Sequence, residues 1–251
     1  VAVILVNSCD TMSANIGDEV CASSGIAEVD EMKLKKCTVC ESVQYCSDEC
    51  ERDHRQQHEE ACKERAAELR DEILFKQPES CCFGDCPICF LQLPLDPKKF
   101  AMWPCCSKII CIGCCYAHIL RNGLKFTCPF CRHPTPQSQA EADLNLMKRV
   151  EKNDPVAMRK MGAMRFKEGD YSCALEYYTK AAELGDADAH CQRADMHYHG
   201  KGVEKDEKKK VYHLEEAAIG GGVEARHNLG YHEANNGRME RAVKHFIIAA
   251  N

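Results

Sequence analysis

The chain has few aromatic residues, no long apolar run and no excess of positive charge. Its 251 residues are 7% aromatic, with a single tryptophan. The longest apolar stretch, residues 1–6, is far too short to span a bilayer and no signal peptide follows it, so we expect no membrane association. Lys and Arg total 33 against 39 Asp and Glu, and the resulting net charge of −6 argues against nucleic acid as a partner.

Motifs of several common enzyme classes are also missing. The sequence contains no phosphate-binding loop ending in Lys-Ser or Lys-Thr, no Gly-x-Ser-x-Gly and no His-Glu-x-x-His. The segment His54–Glu59 is only superficially similar to a metalloprotease helix. We therefore assign no catalytic side chain.

Cysteine is abundant and concentrated in the first half. Of 20 cysteines, 18 lie between Cys9 and Cys131, and only Cys173 and Cys191 lie beyond. Without a secretory signal we expect a reducing compartment, the cytoplasm or the nucleus, where paired cysteines bind zinc rather than form disulfides. The sequence therefore predicts zinc-binding modules.

Composition divides the chain into six segments. We expect small zinc-stabilised α+β modules followed by an all-α α/α solenoid. The boundaries are a disordered tail at 1–20, a zinc module at 21–62, a connecting helix at 63–78, a second zinc module at 80–134, a linker helix at 135–153 and repeats at 154–251. We also expect the natural chain to start at Met12 and to continue past Asn251, where the repeats lack a terminal cap.

The predicted solenoid rests on an internal repeat of 32 or 36 positions. Two sets of alanines keep this spacing: Ala157, Ala189 and Ala225 in one register, and Ala181, Ala217 and Ala249 in the other. Small residues and bulky residues recur in the same way: Gly162, Ala194 and Gly230, and Tyr178, Leu214 and Phe246. Each hairpin is expected to bury its apolar face only against its neighbours.

Two motifs of this region, Ala181–Gly185 and Lys201–Asp206, resemble the Sel-one-like family of tetratricopeptide-like repeats. The resemblance covers about three repeats from Asp154 to Asn251. It implies a scaffold that binds protein partners through short peptide motifs.

The first cysteine-rich segment runs Cys21-x-x-Ser24, Cys37-x-x-Cys40, Cys46-x-x-x-Cys50 and His58-x-x-x-Cys62, and it resembles a MYND zinc finger. His58 and Cys62 are one helical turn apart, so both can face one ion. The resemblance implies two interleaved sites: Cys37, Cys40, His58 and Cys62 in one, and Cys21, Cys46 and Cys50 with position 24 in the other.

Position 24 departs from the family pattern, because a serine hydroxyl is a poor zinc ligand. The fourth position of this site could take water, His54 or Cys9, or the site could be weak or empty. Arg55 also replaces an aromatic residue of the family's peptide-binding surface.

The second cysteine-rich segment opens with Cys86-Pro87-Ile88-Cys89 and closes with Cys128-Pro129-Phe130-Cys131-Arg132. With the four cysteines between these pairs it resembles a C4C4 RING finger. Carried over, one ion would be held by Cys86, Cys89, Cys111 and Cys114, and the other by Cys105, Cys106, Cys128 and Cys131. Since Cys105 and Cys106 are adjacent, His118 or His133 could replace one of them.

RING-type ubiquitin ligases dock a ubiquitin-conjugating enzyme. The resemblance implies that Ile88 and Pro129 line the docking groove and that Arg132 is its hydrogen-bonding linchpin. His118 stands where the family often has tryptophan. The sequence therefore leaves two functions open: a zinc-dependent adaptor, and a ubiquitin ligase whose repeats select substrates.

The ligand count sets the expected metal content. Six cysteines of the first module, eight of the second and His58 give 15 donors, one fewer than four tetrahedral ions need. We predict three tightly held zinc ions and a fourth held weakly or not at all.

Overall fold

The computed structural model describes residues 20–26, 33–79, 82–122 and 127–250. The predicted tail lies outside the described residues except for Val20. The chain divides into two compact units, Val1–Glu72 and Ile73–Asn251, and each is described by itself. Within the described ranges, none of the helices combines the length and apolar character that a bilayer span requires.

The first unit pairs a small two-stranded sheet with a long helix. Strands β1 (Lys35–Lys36) and β2 (Gln44–Tyr45) are antiparallel, with Lys35 opposite Tyr45. Helix α1 (Asp48–Leu74) follows directly. It carries three acidic residues in its first turn, where their negative charges interact favourably with the positive end of the helix dipole.

Helix α1 runs continuously across residue 63, where the sequence predicts the boundary between the first zinc module and a connecting helix. Residues 63–74 of the segment predicted as a connecting helix at 63–78 form the second half of α1, which ends at Leu74. No proline or glycine interrupts the stretch, and ion pairs one turn apart, such as Lys63–Glu59 at 2.6 Å, support continuous helix. The finger and the segment after it therefore share one helix.

The second cysteine-rich module begins the second unit. A short 3-10 turn (Pro97–Lys99) leads into the hairpin of β3 (Phe100–Trp103) and β4 (Lys108–Cys111), with Phe100 opposite Cys111. Helix α2 (Ile112–Arg121) follows. The module's small core contains Leu93, Trp103, Ile110 and Cys115 together with Cys86 and Cys128.

Seven helices follow in the described part of the chain, and the last six of them form three stacked antiparallel pairs. They are α3 (Gln139–Val150), α4 (Pro155–Glu168), α5 (Tyr171–Glu183), α6 (Ala187–His199), α7 (Glu207–Ile219), α8 (Val223–Asn235) and α9 (Met239–Ala250). Helix α4 packs on α5, α6 on α7 and α8 on α9, while α5–α6 and α7–α8 contacts join neighbouring pairs. An Asp side chain caps the N-terminus of each of the four helices α4 to α7. This arrangement confirms the predicted α/α solenoid.

The small and bulky register positions meet inside the pairs. A Cβ added at Gly162 would lie 2.7 Å from the Tyr178 ring, and one added at Gly230 would lie 2.6 Å from the Phe246 ring. In the middle pair, Ala194 and the smaller Leu214 share one buried cluster. The volume at one position is therefore matched to the volume at its partner.

This matching predicts a dependence between the two positions. Gly162→Ala should destabilise the protein by about 1–3 kcal/mol, because the new methyl group overpacks Tyr178. Adding Tyr178→Leu, which copies the middle pair, should make the double variant more stable than the sum of the single effects predicts, by about 1 kcal/mol. Urea unfolding of the zinc-loaded chain measures all three.

Gly113→Ala is the matched control, since no atom lies within 4 Å of a Cβ added there. It should not destabilise the protein and should raise stability by up to about 1 kcal/mol, because alanine favours a helix over glycine. Strict additivity of the two changes at 162 and 178 would show that the positions are not coupled.

Candidate metal centres

The structure gathers the sulfur and imidazole donors into four groups. Within each group the donor atoms all lie within 4.8 Å of one another. The groups are Cys37, Cys40, His58 and Cys62; Cys21, Cys46 and Cys50; Cys86, Cys89, Cys111 and Cys114; and Cys105, Cys106, Cys128 and Cys131. All fifteen predicted ligands fall in these groups, in the combinations that the two family resemblances imply.

Three of the groups contain a Cys-x-x-Cys pair with the same backbone turn. The residue after the second cysteine has a positive φ, and its N–H donates to the carbonyl of the first cysteine. The instances are Glu41 (φ 57°) to Cys37 at 3.0 Å, Phe90 (φ 58°) to Cys86 at 2.8 Å, and Arg132 (φ 59°) to Cys128 at 3.0 Å. This turn, which we call the knuckle, brings the two thiols of each pair to one side of the backbone.

Helix α1 supplies the opposing donors of the first module. His58 and Cys62 face the first knuckle: Cys40 Sγ lies 3.1 Å from His58 Nε2, and Cys37 Sγ lies 3.8 Å from Cys62 Sγ. Cys50, in the first turn of the same helix, lies 3.5 Å from Cys46 through their sulfur atoms. Ligand pairs therefore alternate between two sites along the chain.

The second module alternates in the same way. Cys89 Sγ lies 3.8 Å from Cys111 Sγ, and Cys106 Sγ lies 3.5 Å from Cys128 Sγ. Cys131 Sγ is 3.3 Å from Cys105 Sγ, so both adjacent cysteines join one group.

The two histidines considered as substitutes are engaged elsewhere. His118 Nε2 is 2.8 Å from the Thr127 carbonyl, and His133 Nδ1 is 2.9 Å from the Pro134 carbonyl. Neither imidazole belongs to a donor group among the described residues.

Electrostatics within the groups favour a bound cation. Burial would raise the pKa of the Cys86 thiol, but backbone N–H groups that donate to it lower the pKa to about 6. In contrast, burial and the neighbouring Cys37 and Cys40 thiols raise the pKa of Cys62 to about 12. Thiols this close cannot all ionise without a positive charge between them, and a divalent ion supplies it.

The donors fit zinc. Thiolate and imidazole are its preferred ligands in structural sites, and three of the groups offer the four donors of a tetrahedral ion. Bound zinc would lock each knuckle to its opposing pair and so connect distant parts of the chain.

The group around Cys21 offers three sulfur atoms. Ser24 Oγ lies 3.5 Å from Cys46 Sγ, and the Ser24 N–H donates to Cys21 Sγ at 3.5 Å. His54 turns towards Tyr45, whose hydroxyl is 3.1 Å from its Nδ1, and is not in this group. Cys9 lies outside the described residues.

The docking candidates of the second module lie at its two knuckles. Ile88 is 40% exposed, Pro129 is half-buried and Arg132 is exposed. The positive φ at Phe90 and Arg132 has no sequence signal, because neither residue is glycine. Sequence reasoning therefore placed the ligands without the turn that orients them.

Comparison with known proteins gives a match for the first module. A family model described as MYND finger matches residues 19–62. The first module is similar to MYND fingers over its whole length. The resemblance of the second module to RING fingers stays a prediction. No curated protein matches the chain.

Solved structures with Sel1 repeats are similar to part of the chain. A Sel1 repeat protein from Oxalobacter formigenes is 27% identical with a TM-score of 0.43, and the match covers 55% of this chain and 59% of that one. The protein c5321, a protective antigen of uropathogenic Escherichia coli strains with an SLR fold, is 24% identical with a TM-score of 0.41. That match covers 46% of this chain and 27% of c5321. The chain thus spans less than two thirds of either protein.

Proposed function

We propose that the protein is a zinc-dependent adaptor that brings protein partners together in the cytoplasm or nucleus. The observation that carries the proposal is the MYND finger match at residues 19–62, in a module whose donors form two zinc-type groups. In this proposal the fifteen grouped donors hold three or four zinc ions, and surfaces of the finger and the repeats bind short peptide segments.

The finger has a groove of about 550 Å³ between its first knuckle and α1, and the metal donors Cys37, His58 and Cys62 form part of its wall. Val39, 59% exposed, offers apolar surface in this groove, whereas Tyr45 lines it but is only 2% exposed. Arg55 and Lys63 line it alongside Glu51 and Glu59. This groove suits a peptide with an apolar side chain flanked by charged residues.

The repeats have a larger cavity of about 640 Å³ between α6, α7 and α8. Tyr198 and Tyr231, 54% and 63% exposed, offer apolar area with a polar tip. Asn228 and Asn235 lie seven residues apart on the same face of α8, and each amide can both donate to and accept from a peptide backbone. The cavity therefore suits an extended peptide.

Peptide selection tests the adaptor proposal. Peptides are selected from a random display library with the full zinc-loaded chain, and their affinities are measured by fluorescence anisotropy. We expect one class to lose at least about tenfold in affinity, roughly 1.4 kcal/mol, on Val39→Asp and another on Tyr231→Ala.

Leu144→Ala, an exposed residue outside both surfaces, should leave both classes unaffected. The proposal would be contradicted if neither Val39→Asp nor Tyr231→Ala lowered the affinity of any selected peptide.

A second candidate function is a RING-type ubiquitin ligase whose repeats select substrates. The alternating cysteine groups of the second module favour it, and so does the exposure of Ile88 and Arg132 beside the two knuckles. Ile88 and Pro129 would contact a ubiquitin-conjugating enzyme, and Arg132 would donate hydrogen bonds across the contact.

Self-ubiquitination with a panel of purified conjugating enzymes separates the two functions. A ligase should show activity that Ile88→Ala or Arg132→Ala removes and that Leu95→Ala, another exposed apolar residue of the module, leaves intact. Inactivity with every conjugating enzyme of the panel would rule out the ligase function and leave the adaptor as the remaining one of the two.

A further inference from the structure

The segment Cys21–Ile26 folds as a fourth knuckle. The Cys21 N–H donates to the Ile26 carbonyl and the Gly25 N–H donates to the Cys21 carbonyl, both at 2.8 Å, and Gly25 has φ 69°. The knuckle at Cys86 has the same bonds at the same spacing: Cys86 N–H to Leu91 carbonyl and Phe90 N–H to Cys86 carbonyl, both at 2.8 Å.

This equivalence fixes the place of Ser24. It precedes the positive-φ residue, as Cys40, Cys89 and Cys131 do in the other three knuckles. Its hydroxyl lies 3.5 Å from Cys46 Sγ, at the edge of the three-sulfur group. The backbone thus presents a fourth ligand position, and the side chain there is a hydroxyl that binds zinc poorly.

The open position faces solvent. Cys21 is buried, whereas residues 23–26 are all exposed. Zinc held by three protein ligands keeps its fourth position for an exchangeable molecule. A small external ligand can therefore reach this corner of the finger.

We propose that Cys21, Cys46 and Cys50 form an open zinc centre that binds an external thiolate at the position beside Ser24. The proposal rests on zinc binding by the finger, which is part of the proposed function. Thiolate is the favoured donor class because three soft sulfur ligands are already in place and because the second module uses two groups of four thiolates. The thiol would release its proton to solvent and would replace water at the fourth position, with no change of oxidation state.

The experiment uses the full chain loaded with cadmium-113, whose NMR spectrum gives one resonance for each bound ion. The buffer contains a phosphine reductant and no thiol. We expect 2-mercaptoethanol to move one resonance, saturably, towards those of the two four-thiolate groups, while ethanol moves none. A short cysteine-containing peptide added in place of 2-mercaptoethanol distinguishes a protein ligand from a small thiol by its lower saturating concentration.

Two variants at Ser24 separate the possible fourth ligands. Ser24→Cys should give the four-thiolate spectrum without added thiol and should not respond to it. Ser24→Ala should respond to 2-mercaptoethanol as the wild type does, since in this proposal the Ser24 hydroxyl does not bind the ion.

A wild-type resonance that stays fixed would overturn the proposal. If Cys9→Ser then gained a response, Cys9 would be the fourth ligand. If Ser24→Ala alone gained one, the hydroxyl would close the site. A chain that takes up cadmium in none of the four groups would instead remove the zinc-dependent function itself, so the two failures are distinguishable.

Discussion

Stripping zinc from the protein is expected to unfold both cysteine-rich modules while the helical repeats stay folded. The buried core of the first module is Cys21, Cys37, Cys40 and Tyr45, so three of its four members are metal donors. In small zinc fingers the metal contributes about 10–16 kcal/mol of apparent binding energy at neutral pH, which is as large as the whole stability of an ordinary domain. The repeats have cores of their own, such as Ala174, Tyr178 and Met196.

Hydrogen exchange measured by mass spectrometry, before and after a strong chelator, checks this expectation. Amides of residues 33–62 and 84–122 should lose protection, and those of α4 to α9 should keep it. Persistence of the protected amides in both modules would mean that metal does not hold them.

Two buried cysteines of the second module provide a matched pair. Cys86 belongs to a donor group, whereas Cys115 packs in the same core and belongs to none among the described residues. Cys86→Ser should lose one zinc ion and most of the module's protection. Cys115→Ser should keep every ion and cost only the loss of apolar contact. Equal metal loss in the two variants would be incompatible with the assigned donor groups.

The fold class could be predicted from spacing within the chain, and the donor combinations from the resemblance of the two modules to MYND and RING fingers. Three of the four Cys-x-x-Cys pairs form a knuckle from local residues alone, whereas the pair Cys111-x-x-Cys114 opens α2 instead. Likewise, the recurrence of small residues at Gly162 and Gly230 marks the places where helices approach closely. These features need no knowledge of distant contacts.

Other features depend on what the chain meets far away in sequence. The module boundary expected at residue 63 lies inside α1, which runs without a break from Asp48 to Leu74. The end of α1 also contacts residues that no local pattern brings to it. Leu74, the last residue of α1, is buried in a cluster with residues of α6, α7 and α8. Arg226 of α8 donates from Nη1 to the Leu74 carbonyl and from Nη2 to the Lys76 carbonyl at 3.4 Å.

Replacing Arg226 should therefore destabilise the second unit strongly. Arg226 is 2% exposed, and burial lowers its pKa to about 10, so it stays charged at neutral pH. The last carbonyls of a helix lack partners within the helix and carry the negative end of its dipole, which makes a buried cation there favourable. Arg226→Met removes both donors, and we expect a loss of about 2–4 kcal/mol in urea unfolding of the zinc-loaded chain.

The opposite result is physically possible, because exchanging a buried charge for an apolar side chain of similar volume can stabilise a protein. Here the buried Leu74 carbonyl would remain in place without its donor, so its desolvation should exceed the gain from removing the charge. Arg226→Lys distinguishes the two contributions: it keeps a cation but loses the planar fork that reaches both carbonyls, and should be intermediate. An Arg226→Met chain as stable as the wild type would show that the end of α1 is held by apolar packing around Leu74 alone.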